Sequence, residues 1–306
     1  MTARLPDPCV SSFLPPAGGF LPAAPAPRLV LPQRLPLLGL EVLARLAPAM
    51  ARCALWRLWF TPQSVPPNAR ARELMASADS VSLARSGRHA VRLMAWGRGP
   101  LVVLAHGWSG YGGQLGSFVP PLVASGHRVL LFDAPGHGGQ PATPFTLEDY
   151  ARLLTGVLAG EDVQAVIAHS LGATAAALAL SRLASPAALV AVAPTARLDT
   201  LVQRFRWRTG VSARIEGLLR AVLEAEFGAS VWQAYSLAGL LPVLAGPVLL
   251  VHDRDDAEAD VANSLCLQRQ RPDAALFLTA GLGHNRLLHD PAVQQQVQQF
   301  LGTLRA

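Results

Sequence analysis

Lysine is missing from this chain: all 26 basic residues among its 306 are arginine. With the abundance of Ala, Leu, Pro and Gly, this reads as a genome-wide compositional bias, not as a surface built for polyanions. The formal charge of +6 is scattered along the chain, so nucleic-acid binding is not expected. Cysteine is scarce as well. Cys9, Cys53 and Cys266 are odd in number and far apart, so no disulfide framework and no CxxC metal pattern is present. That usage suits a reducing, cytoplasmic compartment. No continuous apolar run follows a basic start, which argues against a secretory signal peptide. Internal repeats are not evident. Half of the residues, 51%, are hydrophobic, which excludes a wholly disordered chain. The length fits one large α/β domain with an insertion, or two small domains.

Residues 1–36 carry Pro6, Pro8, Pro15, Pro16, Pro22, Pro25, Pro27, Pro32 and Pro36 and are expected to be non-helical and disordered. Residues 37–66 follow as an apolar segment. Leu37, Leu38, Leu40, Val42, Leu43, Leu46, Leu55, Trp56 and Trp59 dominate it. Glu41, Arg45 and Arg52 fall within about 40° of one another at helical spacing, and Pro48 interrupts the middle. One polar stripe of this kind predicts one or two amphipathic helices. They are expected to pack on the domain. A peripheral membrane contact through 37–60, or a span, are the alternatives.

From residue 80 to 306 the pattern changes. Apolar runs at Val91–Trp96, Leu101–Ala105, Arg128–Phe132, the first half of 163–173, Ala188–Val192, Val248–Val251 and Ala275–Leu278 read as strands, the first two adjacent and joined by a turn at 97–100. Helical stretches fall at 114–124, 147–158, 173–183, 260–271 and 291–304. This alternation predicts a mostly parallel sheet with helices on both faces, in which ligands bind outside the carboxyl ends of the strands. Residues 197–242 interrupt the rhythm with helical periodicity and no strand, as expected of a small helical cap. The run Arg204 to Arg208 reads as a solvated cap face, with recognition of an acidic group as the alternative.

Four strand ends carry groups with chemistry. Val163 to Ala173 is a buried strand running into a helix, with Ser170 at the turn between small residues Ala168 and Gly172. A serine so placed has strained backbone geometry and an outward Oγ. The next N–H, that of Leu171, points from a helix N-terminus, where developing negative charge is favoured. A second strand ends in His106-Gly107-Trp108, and the N–H of Trp108 is a candidate partner donor. A third ends in His252-Asp253-Arg254-Asp255-Asp256, where any of three carboxylates qualifies by type to orient an imidazole. A fourth is followed by Gly281-Leu282-Gly283-His284. Histidine has the pKa needed to take a proton from serine and return it.

Taken in order, these pieces and Asp133-Ala134-Pro135-Gly136-His137-Gly138 resemble the α/β-hydrolase family from about residue 88 to 304. The resemblance implies an α/β-hydrolase fold with Ser170 as nucleophile and His284 as general base and acid. The family's His-Gly-x-x-Asp pattern puts the acid at Asp256, with Asp253 standing where that pattern has Gly. Asp253 and Asp255 stay as alternatives. Asp133 reads as structural. Ala168 departs from Gly-x-Ser-x-Gly but is small enough for the turn. His106, Gly107 and His169 are candidates for the substrate pocket, and the N–H groups of Trp108 and Leu171 for the oxyanion hole. The implied activity is cleavage of a carboxylic ester or related acyl bond on a small, apolar substrate, with no metal or organic cofactor. The alternatives are a membrane-associated lipid hydrolase or acyltransferase, and a non-catalytic binding protein on the same fold.

Overall fold

The computed structural model describes residues 31–87 and 89–304. The strands are β1 (Ser80–Ser86), β2 (His89–Trp96), β3 (Leu101–Ala105), β4 (Arg128–Phe132), β5 (Val163–His169), β6 (Ala188–Val192), β7 (Val248–Asp253) and β8 (Ala275–Thr279). They form one sheet in the order β1-β2-β4-β3-β5-β6-β7-β8. Strands β3 to β8 are parallel where they pair, while β2 runs antiparallel to both β1 and β4. The expected adjacency of β2 and β3 does not hold, because β4 lies between them. Their connection crosses the start of β4: a Cβ on Gly97 would lie 2.5 Å from the His127 carbonyl oxygen, and one on Gly99 2.3 Å from that of Gly126.

The helices, in chain order, are α1 (Leu31–Leu46), α2 (Pro48–Phe60), α3 (Ala69–Ala76), α4 (Val119–Ala124), α5 (Leu147–Leu158), α6 (Leu171–Arg182), α7 (Leu198–Thr209), α8 (Ala213–Phe227), α9 (Val231–Ala234), α10 (Leu237–Leu240), α11 (Ala262–Gln270), α12 (Gly283–Arg286) and α13 (Pro291–Thr303). Strand periodicity sorts the core into two layers. Leu101, Val103 and Ala105 of β3 share one cluster with Tyr150 and Leu154 of α5 and Ala173 and Ala177 of α6. Val102 and Leu104 share the other with Leu122 of α4 and Val293, Val297 and Leu301 of α13. Burying five consecutive residues of β3 leaves no polar face for that strand, as a central parallel strand requires.

Residues 57–197 and 231–304 make one compact unit, and residues 31–56 with 198–230 make another. In the second unit α1 packs on α8. Glu41 supplies the junction: its carboxylate accepts from the Ser212 N–H at 2.7 Å and the Ser212 hydroxyl at 2.8 Å. Ser212 is itself the N-cap of α8. Lower down, the Trp56 indole donates to Glu226 at 2.9 Å. The apolar N-terminal segment therefore packs on the all-helical insertion. Among the described residues no helix is long and apolar enough to cross a membrane.

Residues 31–36 are helical, against the non-helical expectation. Pro32 falls in the first turn, where a missing N–H breaks no bond, and Pro36 is tolerated inside the helix. The rest of the proline-rich stretch lies outside the described residues. Cys266 is disulfide-bonded, against the expectation of a chain without disulfides in a reducing compartment, and Cys53 is free and exposed.

Candidate active site

The carboxyl ends of β3, β5, β7 and β8 carry the predicted residues. Ser170 follows β5 directly and has φ 52°, ψ −123°, a left-handed conformation that costs a non-glycine residue about 1–3 kcal/mol. The turn is pinned from both sides. The Ser170 N–H donates to the Val192 carbonyl at 2.9 Å, and the Ala173 N–H donates to the Ser170 carbonyl at 3.1 Å. Two glycines let the backbones approach. A Cβ on Gly172 would sit 2.5 Å from the His106 carbonyl oxygen, and one on Gly107 would sit 2.9 Å from His169 Nδ1 and 3.2 Å from the Ser170 Cβ. Gly107 thus brings the β3 loop against the serine turn.

Ser170 is partly exposed, and its Oγ makes no hydrogen bond among the described residues. A nucleophile–base bond is commonly long without substrate and tightens when substrate binds. The Leu171 N–H opens α6. Trp108 lies in a turn closed by the Gly110 N–H on the Gly107 carbonyl at 3.1 Å. Neither the Leu171 nor the Trp108 N–H has a backbone acceptor among the described residues.

His284 lies at the start of α12, and its Nδ1 donates to Asp256 Oδ2 at 2.7 Å. This leaves Nε2 for proton transfer. Asp256 is buried, and its other oxygen accepts the N–H groups of Glu258 at 2.7 Å and Ala259 at 2.8 Å. A second imidazole flanks it: His252 Nε2 donates to the Ala259 carbonyl at 2.7 Å and lies 3.4 Å from Asp256 Oδ2. The Ala259 carbonyl, which can only accept, puts the His252 proton on Nε2, and the Ser264 hydroxyl donates to Nδ1 at 2.7 Å. Burial alone raises the Asp256 carboxyl, but its bonds to His252 and His284 overcome this and hold it well below the usual carboxylate range. Asp256 therefore stays ionised beside His284.

The other two acids have different partners. Asp253 is buried, with Oδ1 accepting the N–H groups of Asp255 at 3.0 Å and Gly283 at 2.9 Å. Its Oδ2 accepts the Thr279 hydroxyl at 2.7 Å and the Leu282 N–H at 3.1 Å. This carboxylate ties the acidic loop to the loop that carries His284. Asp255 accepts the Gly281 N–H at 2.7 Å. Neither bonds the imidazole. Sequence reasoning missed the tethering role of Asp253, because a lone Asp in a loop gives no sign of which amides turn toward it.

His169 is buried beside Ser170, and its Nε2 donates to the His284 carbonyl oxygen at 2.9 Å. The two rings lie 4.7 Å apart at 48°. Burial, with the neighbouring His284, pushes the His169 imidazole down to about 3, so it is neutral and carries its proton on Nε2. His106 is fully buried and pushed down to about 4 by burial. Its Nδ1 donates to the Gly107 carbonyl at 2.8 Å, and its Nε2 accepts the Ala134 N–H at 3.0 Å. Both nitrogens brace the scaffold, and none is left for a ligand. Asp133 accepts the Gly112 N–H at 2.6 Å, and a Cβ on Gly138 would collide with it. Its surroundings are those of a turn-organising acid. No group of His, Cys, Asp and Glu among the described residues has the arrangement of a metal site.

The comparisons with known proteins agree with this architecture. A model of the alpha/beta hydrolase family matches residues 102–295. The chain belongs to that family. A pimeloyl-[acyl-carrier protein] methyl ester esterase of Xanthomonas oryzae pv. oryzae is 25% identical over 250 residues, covering 68% of this chain and 97% of the relative. Another of that name, from Methylococcus capsulatus, is 53% identical over only 45 residues, 15% of this chain and 17% of its own length. Among solved structures, an esterase of Pyrococcus furiosus aligns with a TM-score of 0.58 at 20% identity, covering 81% of this chain and 98% of that one. A thioesterase domain from the curacin biosynthetic pathway aligns at 0.51 and 17% identity, covering 74% and 99%. At these identities the structural matches speak for the fold alone.

Proposed function

We propose that this hydrolase cleaves a carboxylic ester through an acyl-enzyme on Ser170. The observation that carries the reading is the 2.7 Å bond from His284 Nδ1 to a buried, ionised Asp256. It fixes the imidazole tautomer whose Nε2 has the free lone pair a general base needs. His284 Nε2 takes the Ser170 proton as Oγ attacks the ester carbonyl. The carbonyl oxygen becomes an oxyanion, held by the N–H groups of Leu171 and Trp108; one such donor contributes on the order of 2.7–4 kcal/mol. The imidazolium then returns its proton to the leaving alcohol. In the second half His284 deprotonates water, which attacks the acyl-enzyme and releases the acid and Ser170. Every step uses side chains and backbone of this chain.

The relatives' name directs the first substrates to methyl esters of acyl chains, free and carrier-bound. The test is labelling with a fluorophosphonate probe and location of the adduct by mass spectrometry. The adduct is expected on Ser170, absent in Ser170→Ala and strongly slowed in His284→Ala. Undiminished labelling of Ser170→Ala would reject the assignment.

A further inference from the structure

One face of α1 has no place in the chemistry above. Leu35, Leu38, Val42 and Leu46 fall within about 80° of one another on the helical wheel. Their exposures are 59%, 58%, 53% and 80%, and Met50, just past the helix boundary, is 63% exposed. The face opposite is the one that packs: Leu40 and Ala44 are buried. Soluble surfaces rarely carry a contiguous apolar row of this kind without a partner. The row is also continuous across Pro48, since the Ala47 N–H donates to Leu43 at 2.8 Å and the Ala51 N–H to Ala47 at 3.1 Å.

Charge selects the partner. Between residues 31 and 60 there are four arginines and one acid, Glu41. That acid is turned inward, its carboxylate held by Ser212. Arg45 flanks the apolar row within about 20° of Leu38 on the wheel. It is 59% exposed and touches Glu41 only at 3.8 Å, besides donating to the Glu41 carbonyl at 3.1 Å. Arg52, one heptad further on, is exposed as well. An apolar row edged by guanidinium groups matches an anionic bilayer surface, with acyl chains below and phosphates at the rim. A second copy docking through the same face would bring the same arginines and only the inward-turned Glu41. Residues 1–30 offer a single carboxylate, Asp7.

We propose that the exposed face of α1 lies in the plane of an anionic phospholipid surface, holding the hydrolase there without spanning it. This proposal does not depend on the ester chemistry. The test is flotation of the full-length protein with phosphatidylglycerol vesicles and with phosphatidylcholine vesicles, at low and high salt. Binding to phosphatidylglycerol is expected to exceed binding to phosphatidylcholine by tenfold or more, on the scale of about 1 kcal/mol per interfacial arginine. It should weaken with salt. The variant Leu38→Ser/Leu46→Ser, altered only at exposed positions, is expected to stay in the pellet while keeping the wild-type thermal melt. Arg45→Gln/Arg52→Gln is expected to lose the lipid preference, and Ser170→Ala to float normally. Flotation with neither lipid, or undiminished flotation of the leucine variant, overturns the proposal. So does a leucine-dependent dimer in sedimentation velocity, which assigns the face to a second copy. A photo-crosslink from position 46 into residues 1–30 that persists with vesicles present assigns it to that segment and overturns the proposal too.

Discussion

His169 Nε2 donates to the backbone carbonyl oxygen of His284 across 2.9 Å, so the residue beside the serine holds the residue that would activate it. Both sit at strand ends that are far apart in sequence, and this bond sets one loop against the other. Replacing His169 by Leu removes the donor from a partly buried carbonyl, at a cost of about 1–3 kcal/mol. On the proposed mechanism kcat falls roughly tenfold to a hundredfold, because about 1.4 kcal/mol is one decade of rate. KM stays near its wild-type value. His169→Gln, with an amide donor, recovers part of the loss. A KM defect in place of a kcat defect would move His169 from positioning to substrate contact.

Asp256 and Asp253 separate by what they bond. Asp256→Asn keeps the shape but favours the wrong imidazole tautomer, and turnover is expected to drop on the order of 10⁴-fold. Asp253→Asn replaces an acceptor of four hydrogen bonds by a group that accepts at one end only. It is expected to lower the melting temperature more than Asp256→Asn does, and to lower activity through a loosened His284 loop. Steady-state ester hydrolysis and thermal melts of the two variants, side by side, check the pair.

Acid is expected to unfold this protein early. An unfolded imidazole titrates near 6.5, whereas burial lowers His106 to about 4 and His137 and His169 to about 3. Between those limits the unfolded chain takes up protons that the fold refuses. Stability is therefore fully present above about pH 6.5 and declines as pH falls, each histidine adding up to about 1.4 kcal/mol per pH unit. The depressed Asp256 carboxyl works lower down: its contribution is present above about 3.9 and is lost as pH falls through its folded value. Urea midpoints measured from neutral pH to about pH 5 should fall steadily; a flat profile would contradict the buried, neutral state of these rings.

Gly172→Ala tests the contact between strand end and helix. The added methyl would meet the His106 carbonyl oxygen at 2.5 Å and that of Ala105 at 2.9 Å. Both are backbone atoms, so relief requires α6 to move. A loss of about 1–3 kcal/mol is expected, together with loss of probe labelling at Ser170. Denaturant melts and labelling rates measure both.

Much of this was legible in the chain. Seven strands read as short apolar runs, the five from β3 to β7 because both faces of a parallel sheet are buried, and their order carried Ser170, Asp256 and His284 to one end. β1 was not legible: its apolar residues Val81 and Leu83 are 49% and 70% exposed, so burial does not write its pattern. The interposition of β4 between β2 and β3 was missed because a Gly-containing four-residue link looks like a hairpin. The structural duties of Asp253 and His252 depend on which amides and hydroxyls turn toward them, which residue spacing does not encode. Nor does periodicity name the partner of an amphipathic helix, so the pairing of α1 with α8 was invisible.

That pairing has a consequence for biogenesis. Glu41 and Ser212 are 171 positions apart, and translation at ~5–20 residues per second puts roughly ten to thirty seconds between them. During that interval the leading helices have left the ribosome before the surface that receives them has been made. Until the insertion is synthesised, the side of α1 that carries Leu40 and Ala44 has no partner to bury it.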